Sequence, residues 1–356
     1  MKISAIDIFC GIGGLSYGFK QEGIKVLAGF DSDPSCKYAF ETNVRATFHE
    51  VDVKALTGRR LKTVFGKEKC YRVLIGCAPC QPFSSYTKRY RKRPETSDGR
   101  WQLLVEFSRL VRQSRPDVVS MENVPRLSAH PIFDQFIQEL KSLGYHVTYA
   151  NLRAERYGVP QRRTRLVVFA SRWGEVRIPR ATHADRIKTV REAIGALPEI
   201  RAGEACATDR IHFGRGLSPR NLQRIKATRE GGSWKDWDPE LQLECHKKNN
   251  GKSFRSVYGR MRWDEPSPVI TTQCLGIGNG RFGHPSQDRG ISIREAALLQ
   301  SFPKTFRFVP PKEPINGLVL ARQIGNAVPV RLGRIIARAI KSHLKEVSNA
   351  STVAAE

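Results

Sequence analysis

Acidic residues are scarce in this chain: 34 of them stand against 60 lysines and arginines, leaving a formal charge of +26 and an isoelectric point near 10.1. So large an imbalance argues against an ordinary small-molecule enzyme and for a polyanionic partner. Long apolar runs are missing as well. No segment approaches the roughly 20 residues of a membrane-spanning helix, and the basic residues are spread along the chain, so nucleic acid is favoured over a membrane surface. A secretory leader is not expected, because the apolar stretch from Ile3 to Phe9 is short and interrupted by Asp7. The eight cysteines are mostly isolated, which fits a reducing compartment better than a disulfide framework. Zinc would need a second ligand pair to match Cys77-Ala-Pro-Cys80; the sequence has neither another C-x-x-C nor an H-x-x-x-H, so no metal is expected. Internal repeats and low-complexity tracts are also lacking.

What is present is a chain of 356 residues, 40% hydrophobic, enough for one large core with a smaller appended domain. Strands and helices alternate through the first half, the pattern of a parallel sheet covered on both faces. Strands are expected at Ile3 to Phe9, Lys25 to Phe30, Arg72 to Ile75 and Asp117 to Met121, the last delivering Glu122 and Asn123 at its carboxyl end. Helical spacing marks Trp101 to Arg112 and the run Ile132, Phe133, Phe136, Ile137, Leu140, Leu143, which stops at Gly144. Tyr145 to Leu152 and Arg165 to Ala170 read as a closing strand pair. From about Gly174 the alternation is lost and Gly, Pro, Arg and Trp become frequent, so a second domain begins there. Within it, Glu230 to Trp237 fits neither helix nor strand and is expected as a surface loop. Regular pattern returns at Ile293 to Gln300 and in a helix from about Val330 to Val347.

The first strand runs into a turn carrying Gly11, Gly13 and Gly14, a helix follows, and Asp31 ends the next strand. This arrangement binds a nucleoside at the first crevice of an open sheet. The dinucleotide pattern would place a third glycine where Ser16 stands, which shifts the reading from NAD towards another adenosine-bearing cofactor. Asp31 is placed for ribose hydroxyls and Asp52 for an adenine amino group.

Gly76-Cys77-Ala78-Pro79-Cys80-Gln81-Pro82-Phe83-Ser84 resembles the Pro-Cys-Gln nucleophile motif of the DNA (cytosine-5) methyltransferases, and the match then extends in family order. Asp7 to Gly14 resembles their cofactor loop, Met121 to Val124 their Glu-Asn-Val motif, and Gln161 to Arg165 their Gln-x-Arg-x-Arg motif. Arg294 to Pro303 and Gln323 to Pro329 resemble the two C-terminal motifs, so the likeness spans residues 7 to 329. It implies an α/β chain with a Rossmann-like S-adenosylmethionine-dependent methyltransferase sheet and a smaller, irregular target-recognition domain. The expected division is 1–178 for the catalytic and cofactor-binding domain, 179–316 for target recognition, and 317–356 returning to the catalytic domain.

By the same resemblance Cys80 attacks carbon 6 of a flipped cytosine, a task suited to a thiolate that must also leave again. Glu122 bonds the base at N3 and its amino edge, Arg165 reaches O2, and Arg163 lies nearby to orient substrate and assist thiolate formation. Phe9, Pro79, Leu103, Asn326 and Val328 match positions that line the family's cofactor pocket. The family usually has glutamate and then a large residue where this chain has Asp31 and Ser32, which leaves the ribose contact but shortens the wall beside the adenine.

A paired cytosine is inaccessible and must be extruded at a cost of a few kcal/mol. The segment Ser84 to Arg100, with Lys88, Arg89, Arg91 and Arg93, is expected to close over the duplex, alongside Gln81 and Ser84. In the second domain Arg260 and Thr271 are expected to contact DNA, Arg255 and Arg262 are further candidates, and Trp234 and Trp237 are better explained by packing. Duplex DNA is the expected partner, with a cognate restriction endonuclease as a companion acting on the same site; a compact, monomeric, cytoplasmic and nucleoid-associated enzyme of prokaryotic type is expected. A tRNA-modifying relative would carry a Cys-Phe-Thr signature in the second domain, absent here, and a non-catalytic homologue would lack the nucleophile or Glu-Asn-Val. A thiol oxidoreductase built on Cys77 and Cys80 would have no use for Glu122, the arginine motif or the basic charge.

Overall fold

The computed structural model describes residues 1–79, 102–248 and 254–353. Its backbone divides into two compact units. The first comprises Met1–Arg153, Thr164–Thr182 and Val328–Glu356, and the second Ala154–Arg163 and His183–Ala327. The boundaries thus fall at 182 and 327 rather than at 178 and 316, and the ten residues between the closing strands belong to the second unit.

The first unit is built on seven strands: β1 (Ile3–Ile8), β2 (Lys25–Asp31), β3 (Thr47–Glu50), β4 (Tyr71–Gly76), β5 (Val118–Asn123), β6 (His146–Arg153) and β7 (Thr164–Ser171). They lie in the order β3-β2-β1-β4-β5-β7-β6. The first five are parallel, while β7 runs antiparallel between β5 and β6. β1, β4 and β5 are buried over nearly their whole length, which is why they read as mostly apolar stretches rather than as alternating ones. The connecting helices are α1 (Gly14–Gln21), α2 (Lys37–Val44), α3 (Gly58–Phe65), α4 (Gln102–Ser114) and α5 (Pro131–Ser142).

On one face of the sheet Ile6, Phe30, Leu74 and Met121 pack with Leu61 and Phe65 of α3, Phe107 and Leu110 of α4, and Phe133 and Phe136 of α5. The C-terminal helix, which takes the number α11 (Val330–Val353), lies against α1. The two approach closely because both are glycine at the crossing: a Cβ on Gly18 would sit 2.5 Å from the Arg334 nitrogen, and one on Gly333 3.0 Å from the Leu15 oxygen. Glu22, at the end of α1, accepts from both Arg334 and Arg338 of α11.

The second unit has short helices, α6 (Val190–Ile194), α7 (Pro219–Lys226), α8 (Glu244–Lys247), α9 (Ile293–Leu299) and α10 (Gly317–Asn326), and its described strand pairing consists of isolated bridges such as Arg260 to Gly283. Arginine holds it together. Arg289 is fully buried and donates through two nitrogens to Glu295, whose carboxylate also accepts from the Ser292 nitrogen at the head of α9. Burial alone would raise the Glu295 pKa, but the Arg289 bonds and charge hold it below the usual range. The segment expected as a surface loop is instead a 3-10 turn over Trp234–Asp236, closed by a reciprocal Ser233 and Asp236 cap. Trp234 and Trp237 are both buried; the Trp234 indole donates to the Phe254 oxygen and that of Trp237 to the Thr228 hydroxyl. Packing is therefore what the tryptophans do here.

Candidate active site

In an open sheet, ligands bind beyond the carboxyl ends of the strands where the strand order reverses. Here the order reverses between β1 and β4. The residues that follow these two strands are the glycine turn and the run from Cys77 to Pro79. β5 ends alongside with Glu122 and Asn123, and because β7 is antiparallel, its first residues Thr164 and Arg165 lie at the same edge.

The turn after β1 is tightly specified. Phe9 and Cys10 both donate their backbone nitrogens to the Phe30 oxygen, and Phe9 adopts φ 62°, a left-handed conformation uncommon for a residue with a side chain. Gly13 has φ 86°, and a Cβ there would meet Val44 at 2.8 Å and Phe40 at 2.9 Å. Asp31 steadies the loop: one carboxylate oxygen accepts from the Gly11 nitrogen at 2.8 Å and the other from the Asp33 nitrogen at 3.0 Å. Burial pushes the Asp31 pKa up against these amide bonds. Deeper in, Asp7 is pushed up to about 7 by burial, opposed by the 2.6 Å bond from the Ser16 hydroxyl. Ser16, which stands where the dinucleotide pattern has glycine, is thus an internal partner of the loop.

Glu122 is 2% exposed. The Cys77 thiol donates to Oε2 at 2.9 Å, while Oε1 lies 3.1 Å from the Arg165 Nε as an ion pair and has no hydrogen bond among the described residues. Asn123 donates to the Ala78 oxygen at 3.0 Å, so consecutive residues at the end of β5 fasten consecutive residues of the run leading to position 80. A carboxylate fixed between a guanidinium and a thiol at a strand end can align the polar edge of a flat ring.

The remaining expected residues fall into several places. Leu103, in the first turn of α4, packs on the core, Pro79 is half-buried, and Val328 is buried just before α11. Asp52 is exposed and accepts from the Lys54 nitrogen in the turn after β3. In the second unit Asn326 and Thr271 are exposed, as are Arg255 and Arg262. Two expectations change. Arg260 is only 4% exposed; its guanidinium donates to the carbonyl oxygens of Ile225, Thr228 and His284 and pairs with Asp288, so it stitches loops and has no surface to offer DNA. Arg163, also 4% exposed, is turned towards the carbonyl oxygens of Ile270, Gly325 and Ala327, where it fastens backbone of the second unit. Cys80, Gln81, Ser84, Lys88, Arg89, Arg91 and Arg93 lie outside the described residues. Sequence reasoning named Gln161 within a motif but gave it no role; it is fully buried, accepts from the Ile270 nitrogen and donates to Gln300 and to the Leu299 oxygen. It missed the Cys77 contact, which links positions too far apart in the chain to be read as a pair.

A Rossmann-like sheet with an antiparallel strand inserted next to its edge, a glycine loop on β1 and a buried acid on β5 together define an α/β methyltransferase. The family model of the C-5 cytosine-specific DNA methylases matches residues 3–342. Type II methylase M.HgiDII of Herpetosiphon aurantiacus is 49% identical over 346 residues, covering 96% of each chain. Type II methyltransferase M1.HphI of Haemophilus parahaemolyticus is 32% identical, over 96% of this chain and 87% of the relative. Among solved structures, an E. coli prophage protein described as a DNA modification methyltransferase superposes with TM-score 0.74 at 22% identity, covering 97% of this chain and 100% of that one. The Dnmt2 methyltransferase of S. pombe does so with TM-score 0.60 at 16% identity, covering 96% and 99%. The chain belongs to the C-5 cytosine-specific DNA methylase family, and its enzymatic class is accordingly DNA (cytosine-5) methyltransferase.

Proposed function

We propose that the protein methylates carbon 5 of a cytosine turned out of a specific duplex sequence, through a transient bond from Cys80 to carbon 6. The observation that carries this reading is the Glu122 carboxylate, buried and held by Arg165 and Cys77 at the end of β5, three residues of chain away from the nucleophile position through the Cys77 contact. Glu122 meets N3 and the amino group of the base and keeps a proton there while the thiolate adds. Arg165, within 3.1 Å of Glu122, turns its remaining donors to O2. Addition at carbon 6 makes carbon 5 nucleophilic; after methylation the carbon 5 proton departs and the thiolate is expelled.

The loop of the first unit suits S-adenosylmethionine. Gly11 has φ 49° with open space where a Cβ would stand, and the two Asp31 oxygens, each taking one amide, retain acceptor capacity for ribose hydroxyls. Phe9, Gly11, Gly13, Gly14, Asp31, Asp52, Pro79, Leu103, Asn326 and Val328 are the residues assigned to it. When bound, it supplies the electrophilic methyl group. Gln81, Ser84, Lys88, Arg89, Arg91, Arg93 and Thr271 are assigned to DNA, with the formal charge of +26 favouring the phosphate backbone. The type II relatives favour a companion restriction endonuclease that cuts the same site.

Bisulfite sequencing of DNA from cells producing the protein tests the reaction and reads the recognition sequence together. The reading predicts protected cytosines at one recurrent motif that vanish with Cys80→Ser; methylation persisting in that variant refutes it.

A further inference from the structure

Among the described residues, two different side chains approach the Glu122 carboxylate, one at each oxygen. Arg165 places its charged Nε 3.1 Å from Oε1, an ion pair that makes no hydrogen bond, so that oxygen keeps its acceptor capacity. Cys77 offers Oε2 a thiol, among the weakest donors a side chain has, at 2.9 Å. Both partners are well placed, since Arg165 is 11% exposed in its side chain while Cys77 is half-buried on the run that precedes position 80. A base that lays two donors across this carboxylate finds Oε1 open to a hydrogen bond and must displace the thiol from Oε2.

We propose that Cys77 is a positioning residue that holds the Oε2 side of Glu122 until a cytosine arrives and then yields that side to the base. The inference rests on the reading of Glu122 as the residue that meets the base. The thiol keeps a buried acceptor satisfied in the free enzyme, where an empty acceptor would be costly, yet competes only weakly with substrate. It also sits three positions before Cys80, so displacement by the base and attack on the base involve one short stretch of chain.

The test compares Cys77→Ser with Cys77→Ala in the full chain, measuring incorporation of tritiated methyl groups from S-adenosylmethionine into unmethylated phage λ DNA. Serine and alanine are no larger than cysteine, and thermal unfolding verifies that each variant is folded. A hydroxyl is the stronger donor and holds Glu122 against the base, so Cys77→Ser raises KM for DNA about three- to tenfold, the span of one ordinary hydrogen bond. Alanine offers no competitor, so Cys77→Ala leaves KM equal to or below that of the parent. In both, kcat stays within about twofold, since the thiol is already displaced in the complex. A KM that moves the same way in both variants, that does not move with serine, or a kcat that falls alone overturns the inference. Glu122→Gln run in parallel separates the failures. If that change keeps the parental rate, the reading of Glu122 fails; if it abolishes activity while KM ignores Cys77, only the role of Cys77 fails.

Discussion

Ile6, Phe30, Phe107 and Met121 are buried side chains that share one apolar cluster between a sheet and its helices, whereas Arg260, Arg281 and Arg289 are side chains turned inward to meet backbone oxygens and carboxylates. Both units bury apolar side chains, Ile270, Phe282 and Phe302 in the second among them, but the second adds buried arginines whose directed bonds tie short segments that, among the described residues, have no continuous strands. The contrast has a functional side. A rigid sheet edge holds a reaction centre within small tolerances, while a set of loops fastened at a few buried points leaves exposed residues such as Thr271, Arg255 and Arg262 at the surface. Loops carried on a firm scaffold are where binding residues concentrate.

The comparison can be broken most severely at the sheet edge. Glu122→Gln is expected to lower the methylation rate on λ DNA by about two to four orders of magnitude, with the thermal midpoint of the first unit little changed; a loss below tenfold in steady-state assays contradicts the role of the carboxylate. Next comes the buried pair of the second unit. Arg289→Ala removes the cation that balances the buried Glu295 and should cost about 3–5 kcal/mol, read in urea unfolding as an early transition that Gly18→Ala does not produce. Gly18→Ala instead crowds the α1 and α11 crossing, at about 1–3 kcal/mol, and should shift the transition of the first unit.

The gentlest probe is pH. Burial pushes His284 down to about 4, against the pull of Glu295, and its Nδ1 accepts from the Ser286 and Gln287 nitrogens, so protonation breaks both bonds. A histidine with a folded value below its ordinary 6.5 contributes stability that is complete above 6.5 and is lost as pH falls from there to about 4. Glu295, also held below its ordinary value, loses its contribution in the same direction. Acid should therefore weaken the second unit, and His284→Gln should flatten the slope of its unfolding midpoint between those limits.

These different stabilising forces also explain what the sequence disclosed. β1, β2, β4 and β5 announce themselves because each is an apolar run long enough to be buried, and α5 because six apolar residues recur at helical intervals. β3 does not: Thr47–Glu50 is four residues with only Phe48 buried, too short for a period to show. α3 carried usable signals, Thr57 as cap, Leu61 and Phe65 one turn apart and Gly66 beyond, which a reading centred on motifs passed over. In the second unit, Arg260 looked like a DNA contact because an arginine in a basic, irregular stretch gives no sign that five acceptors, the Gln287 oxygen included, lie around it. The site divides similarly. Glu122 and Arg165 were recognisable from motifs, whereas the Cys77 contact depends on the adjacency of β4 and β5.

The most direct test of the account is covalent trapping. With S-adenosylmethionine and a duplex carrying 5-fluorocytosine at the methylated position, the carbon 5 proton that must leave is replaced by fluorine, and the protein should remain bonded to the DNA. Peptide mass mapping is expected to place the adduct on Cys80, with none formed by Cys80→Ser. An adduct on Cys77 or any other residue, or a product methylated on the exocyclic nitrogen, would contradict it.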